Sequence, residues 1–177
     1  MIVWLNGTHG AGKTTTSALV QELIPGSRVL DAEKVGETLM DIRPGLPATD
    51  NFQHWPPWRQ LVVETAWRVL GYVGGTLVVP MTVLVERYWR EISDGLAAHA
   101  IPVRHMLLHA DQETLRTRIE DDAVMGFSTF RMAHLEPYRA AYDGWLGAEA
   151  EVVDTTRLSP AEVARRVVDA VGGGDRT

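Results

Sequence analysis

Apolar residues along this chain fall into two kinds of run that take turns. Residues 2–5, 76–80 and 103–108 are short and nearly continuous, the pattern of strands buried on both faces of a parallel sheet. Residues 27–31 and 151–154 are two further short strands. Between these runs the apolar positions recur at helical spacing. Residues 13–23 bring Ala18, Leu19 and Leu23 to one side until Pro25-Gly26 ends the helix, and 33–40 form a short helix closed by Arg43-Pro44-Gly45. Across 58–73 the residues Leu61, Val62, Thr65, Val69 and Tyr72 share a face, and Gly74-Gly75 breaks it. Residues 85–99 are helical. A helix capped by Asp111 runs through Leu115 and Ile119, 133–150 are mostly helical with Pro137 in a first turn, and Ser159-Pro160 opens a last helix to residue 171. Residues 43–58 read as a proline-rich loop, 120–131 are polar without a clear period, and 173–177 are expected to be a flexible tail.

Strands alternating with helices predict an α/β fold of three layers, a parallel sheet covered on both faces through right-handed crossovers. No repeat or linker divides the chain, so residues 1–172 are expected to form a single domain. In such sheets ligands bind at the carboxyl ends of the strands. Functional residues are therefore expected just after Leu5, Leu30, Val79, Leu108 and Val153.

Composition narrows the classes. Apolar residues make up 45% and charged residues 23%, the balance of a soluble globular protein. No apolar run is long enough to span a membrane, and no basic leader or cleavage pattern precedes the first strand. With no cysteine there is neither a disulfide framework nor a thiolate metal site, and a cytoplasmic location is expected. A net charge of −6 argues against a nucleic-acid partner. Peripheral membrane contact and a homodimer stay open. Of 17 basic residues only Lys13 and Lys34 are lysines, and Lys13 stands in the one stretch where a lysine has a specific task.

That stretch is Gly7-Thr8-His9-Gly10-Ala11-Gly12-Lys13-Thr14, which meets G-x-x-x-x-G-K-[ST] at every defined position, with a buried strand before it and a helix after it. Glycines let the backbone approach an anion closely, and the N–H groups at the helix start point at it. Lys13 then reaches the β- and γ-phosphates, Thr14 joins the Mg²⁺ shell, and Thr15 follows in the same turn. A nucleoside triphosphate is the expected ligand.

The other strand ends supply the remaining candidates. Asp31 follows the second strand, where its carboxylate can take an acceptor's proton, help hold Mg²⁺, or cap the next helix. The third strand ends Val79-Pro80-Met81-Thr82 without the acid that many phosphate-loop proteins carry there, so Asp31 is the leading negative charge beside the metal, and the Thr82 hydroxyl is a candidate contact to phosphate or substrate. In the 50–59 stretch, Phe52, Trp55 and Trp58 are candidate walls of an acceptor pocket, or else a small second core, and Arg59 a partner for an anionic group. Among Arg116, Arg118, Arg131 and Arg139, which bracket the polar stretch, Arg118 and Arg131 are the candidates to close over the triphosphate. Thr156, after the last strand, is placed beside the purine. The six histidines show no metal-ligand spacing.

Four segments together, IVWLNGTHGAGKT, DAEKVGETL, DNFQHWPPWR and VVPMTVL, resemble the tunicamycin-resistance proteins, small phosphate-loop ATP-binding proteins of the nucleoside- and antibiotic-kinase type. LHADQETLRTRI and VVDTTRLSPAEVARRV are similar as well, so the likeness covers nearly the whole chain and is poorest over 120–139. It implies an adenylate-kinase-like core with five parallel strands in order 2-3-1-4-5, an acceptor region at about 41–60 and a small lid at about 118–140. It also implies ATP- and Mg²⁺-dependent phosphorylation of a hydroxyl on a nucleoside antibiotic, giving resistance. Chloramphenicol phosphotransferases look similar in layout and leave the acceptor open. Two other functions compete with antibiotic phosphorylation: sequestering a drug with little turnover, and metabolic phosphorylation of a nucleoside or sugar.

Overall fold

The computed structural model describes residues 1–124 and 126–172; the tail expected at 173–177 lies outside them. The described residues build a parallel sheet from β1 (Ile2–Asn6), β2 (Arg28–Val29), β3 (Leu77–Pro80), β4 (Val103–His109) and β5 (Glu151–Asp154), in the order β2-β3-β1-β4-β5. This is the order that the resemblance implied. β1 lies at the centre, pairing Ile2 with Leu77 on one side and with Val103 on the other. All five of its residues are buried.

Strand alternation divides the core into two. Val3, Leu5 and Val78 face α1 (Lys13–Leu23) and the last helix, α9 (Pro160–Gly172). Ile2, Trp4, Leu77 and Val79 face α3 (Pro56–Val73) and α4 (Glu86–Ala98). Trp4, Trp58 and Trp89 all belong to this second layer and are fully or nearly fully buried.

Three element boundaries differ from the sequence expectation. β2 is shorter than 27–31: it is an edge strand paired only with β3, although Leu30 N still donates to Val78 O (2.9 Å) beyond its end. α3 begins at Pro56, not at residue 58, because a proline's fixed φ and missing N–H suit the first helical turn. The Pro56-Pro57 pair therefore starts a helix instead of stiffening a loop. The expected helix at 133–150 is divided into α6 (Thr129–Ala133), α7 (Leu135–Ala141), a π-helical turn at Tyr142–Leu146 and a final turn, α8 (Gly147–Glu149). Pro137 does lie in the first turn of α7. α2 (Ala32–Met40) and α5 (Gln112–Glu120) complete the set. No helix among the described residues is long and apolar enough to cross a membrane.

Candidate active site

The phosphate loop leaves β1 through Asn6, a fully buried residue whose side chain holds the turn together. Its Oδ1 accepts from Gly7 N (2.8 Å) and Val83 N (3.0 Å), while its Nδ2 donates to Val83 O (3.0 Å). Gly7 has φ +140°, and a Cβ there would stand 2.7 Å from Leu108 O, so only glycine lets the loop lie this close to β4. Gly12 takes the N-cap position of α1 at φ +90° with no side-chain cap. The first amides of α1 thus have no capping oxygen, and together with the helix dipole they offer an anion seat. Thr14 and Thr15 are exposed on that first turn, whereas Thr8 and Ala11 are buried.

Lys13 is only half-buried, yet its ammonium sits deeply enough that burial lowers its pKa to about 8. Glu33 opposes the shift and Arg131 adds to it. Its Nζ donates to Thr8 O (3.0 Å). His9 is lowered as well, to about 4, by burial and then by Lys13, His134 and Arg131. Its ring lies edge-on to Phe130 and His134, which bear on the loop from α6 and the residue after it. Arg131 is buried and paired with Asp122 (2.8 Å). Of the two arginines predicted for the lid, it is the one whose charge is felt by both Lys13 and His9.

Across the loop, Asp31 caps α2, accepting from Glu33 N (3.0 Å), and its side chain is exposed. Glu33, two residues on, is the residue that sequence reasoning missed. Burial raises its pKa, Asp31 raises it further, and Lys13 pulls it back. The signal was present: Glu33 is a second carboxylate two residues past Asp31 at the same strand end. Thr14 and Asp31 are oxygen donors of the kind Mg²⁺ accepts. No group of three or more His, Asp or Glu that could hold a metal ion gathers among the described residues.

Several expected contacts are taken up elsewhere. Thr82 donates its hydroxyl hydrogen to Gly7 O (2.6 Å), tying β3 to the phosphate loop in place of a substrate. Trp58 is fully buried, its Nε1 donating to Ala32 O (3.0 Å), and so belongs to the core and not to a pocket wall. Arg59, 3% exposed, bonds Glu91 and Gln53 O and lies over the Tyr88 ring, which leaves it no role at an open anion site. Phe52 is half-buried against Gly36 and Trp58. Trp55, half-buried, donates to Pro47 O (2.9 Å).

Arg118 reaches back to Gly10 O (3.4 Å) and bonds Thr155 through Oγ1 (3.0 Å) and O (2.7 Å). With Thr15, Thr155 and Pro160 it lines a cleft of ≈240 Å³ against Gly10 and Gly12. Thr155 thus borders the phosphate-loop cleft. Thr156, the residue expected beside the purine, lines a neighbouring cleft of ≈480 Å³ with His109, Asp111, Asp154 and Arg166. The reason is local: Asp154 accepts from Thr156 N (2.9 Å), a turn that carries residue 156 away from the loop.

The fold is shared with solved structures. The tunicamycin resistance protein of Deinococcus radiodurans superposes with a TM-score of 0.78 at 24% identity, over 97% of this chain and 95% of that one. A sugar kinase from Janibacter sp. HTCC2649 gives 0.71 at 20% identity over 97% and 94%. Shikimate kinase from Acinetobacter baumannii gives 0.65 at 15% identity over 99% and 95%. At these identities the likeness is one of fold, that of phosphate-loop kinases. No curated protein matches the chain. The family described as AAA domain matches residues 2–144, most of the chain, and the chain belongs to that family.

Proposed function

We propose that the protein transfers the γ-phosphoryl group of ATP to a hydroxyl of a small acceptor, a nucleoside antibiotic of the tunicamycin type, and so confers resistance. The observation that carries this is an uncapped α1 N-terminus in the phosphate loop whose Lys13 lies close enough to Glu33 for the two charges to act on each other, with Asp31 bonded to Glu33 at the start of α2. The loop amides and Lys13 bind the β- and γ-phosphates, and Thr14 with Asp31 would hold an accompanying Mg²⁺, which would offset phosphate charge there. The acceptor oxygen bonds to the γ-phosphorus as the β–γ bridging P–O bond breaks. Its proton passes to Asp31, with Glu33 at hand as a second base. Arg118 and Arg131 offset charge on the transferring group. Residues 1–172 act as one catalytic unit working in the cytoplasm.

One observation favours a second function, sequestration with slow turnover: β3 ends in Pro80 without an acid, and the nearby Thr82 hydroxyl is committed to Gly7 O. The deciding experiment incubates the protein with ATP, Mg²⁺ and a panel of nucleoside antibiotics and follows each by mass spectrometry. A gain of one phosphoryl group on an acceptor is expected. Tight binding of ATP and drug with no mass gain on any acceptor would overturn transfer in favour of sequestration.

A further inference from the structure

The segment between α2 and α3 has no strand to anchor it, yet it must present an acceptor at a fixed distance from the phosphate loop. Its 3₁₀ turn, Phe52–His54, holds one buried polar side chain, that of Gln53. Gln53 Nε2 donates to Thr82 O (2.8 Å), 29 positions along the chain. Thr82 Oγ1 in turn donates to Gly7 O, the first carbonyl of the phosphate loop. The backbone at 81–83 is itself stitched to β1: Met81 N donates to Leu5 O (3.1 Å), Trp4 Nε1 to Met81 O (3.0 Å), and Asn6 bonds both polar groups of Val83. Residues 81–83 therefore move with the phosphate loop as one body.

The other end of the turn is held as firmly. Gln53 N donates to Asn51 Oδ1 (2.9 Å), and the Gln53 carbonyl accepts from Arg59, whose guanidinium is pinned by Glu91 and the Tyr88 ring. Arg59, expected to meet substrate, instead fixes the back of the turn to α4. The backbone of Gln53 is thus fixed from behind while its buried side-chain amide reaches Thr82, and removing that donor leaves the Thr82 carbonyl without its partner, which costs more than losing a surface contact.

We propose that Gln53 is a positioning residue: through Thr82 it holds the acceptor-side turn in register with the phosphate loop, so that acceptor and γ-phosphate share one frame. This rests on the phosphotransferase function proposed above. Misplacing a reactant by ~1 Å costs on the order of 10²-fold in rate, whereas water, the background acceptor, needs no such wall.

The test uses Gln53→Met, which keeps length without the donor, and Gln53→Leu should the first variant fold poorly. With tunicamycin as the acceptor probe, the ratio of phosphoryl transfer to background ATP hydrolysis is expected to fall on the order of 10²-fold. The KM for ATP should stay within about twofold. A second readout needs no acceptor: ADP should slow amide hydrogen exchange at the Phe52–His54 turn in the wild type, and only in the phosphate loop in the variant. A merely structural role would lower stability and leave the ratio and the exchange pattern unchanged, and that result overturns the proposal. If the wild type transfers phosphate to no acceptor, the phosphotransferase function fails, and the exchange experiment alone decides whether Gln53 couples turn and loop.

Discussion

Binding of a triphosphate should draw a proton onto Lys13 near pH 8, with an uptake that follows from its pocket. In the free protein, burial with Arg131 nearby lowers the ammonium from an ordinary 10.5 to about 8, Glu33 opposing. A bound triphosphate sets negative charge against it and restores at least the ordinary value. Uptake on binding is then roughly 0.1 proton at pH 7, 0.5 at pH 8 and 0.9 at pH 9. Affinity should weaken about tenfold between pH 7 and pH 9, because only the protonated lysine binds well. The sign for stability runs the other way. With the folded pKa lowered, the unfolded chain binds more protons between pH 8 and 10.5, so this group makes the free protein more stable as pH rises through that window. Calorimetric titration with a non-hydrolysable triphosphate, in two buffers of different ionisation enthalpy, measures the uptake directly. His9, lowered to about 4, takes up its proton in a separate acid window, so the two are resolved by pH. Lys13→Ala should abolish uptake at pH 8–9 and move the acid one to higher pH, because Lys13 is among the charges that lower His9. Glu33→Gln removes the carboxylate that props Lys13 up and should move its window to lower pH. Tight triphosphate binding with no uptake at pH 8.5, or with affinity flat from pH 7 to 9, refutes the electrostatic account of the loop.

Three further outcomes are expected. Asp31→Asn should keep the affinity for nucleotide without Mg²⁺ and lower phosphoryl transfer by on the order of 10²-fold, since Asn preserves the α2 cap and removes the charge; normal transfer with a lower Tm would leave only the cap. Trp58→Ala should cost roughly 3–5 kcal/mol in chemical denaturation and impair both substrates together, as befits a fully buried indole. Arg118→Met should weaken triphosphate binding several-fold in a fluorescence titration without changing proton uptake at pH 8.5, because Arg118 ties Thr155 to Gly10 while burial, Glu33 and Arg131 set the shift of Lys13.

The strand runs and the phosphate loop were legible because each is a local statement. A continuous apolar run has one good environment, and G-x-x-x-x-G-K-T has one good use when a strand precedes it and a helix follows. The ambiguous residues were those whose role is set by a neighbour far along the chain. Trp58 and Arg59 follow two prolines and stand beside aromatic residues, a composition that fits a ligand wall as well as a helix start. Which it is depends on α2 lying where Ala32 O can accept the indole N–H and on α4 bringing Glu91 and Tyr88 to the guanidinium. Separations of 26 and 32 positions leave no mark in a local pattern. Thr82 was misplaced for the same reason, its partner Gly7 lying 75 positions away. The corrections share a direction. The polar groups assigned to substrate are spent inside the fold, Thr82 on the phosphate loop, Trp58 on α2, and Arg59 on α4 and the Phe52–His54 turn, whereas Asp31 and Glu33 on α2 stay exposed. If the proposed phosphoryl transfer holds, its sensitivity is expected in the connections: Asn6, Gln53 and Thr82, bonded to one another's segments and to the loop, would set the distance between Asp31 and Lys13.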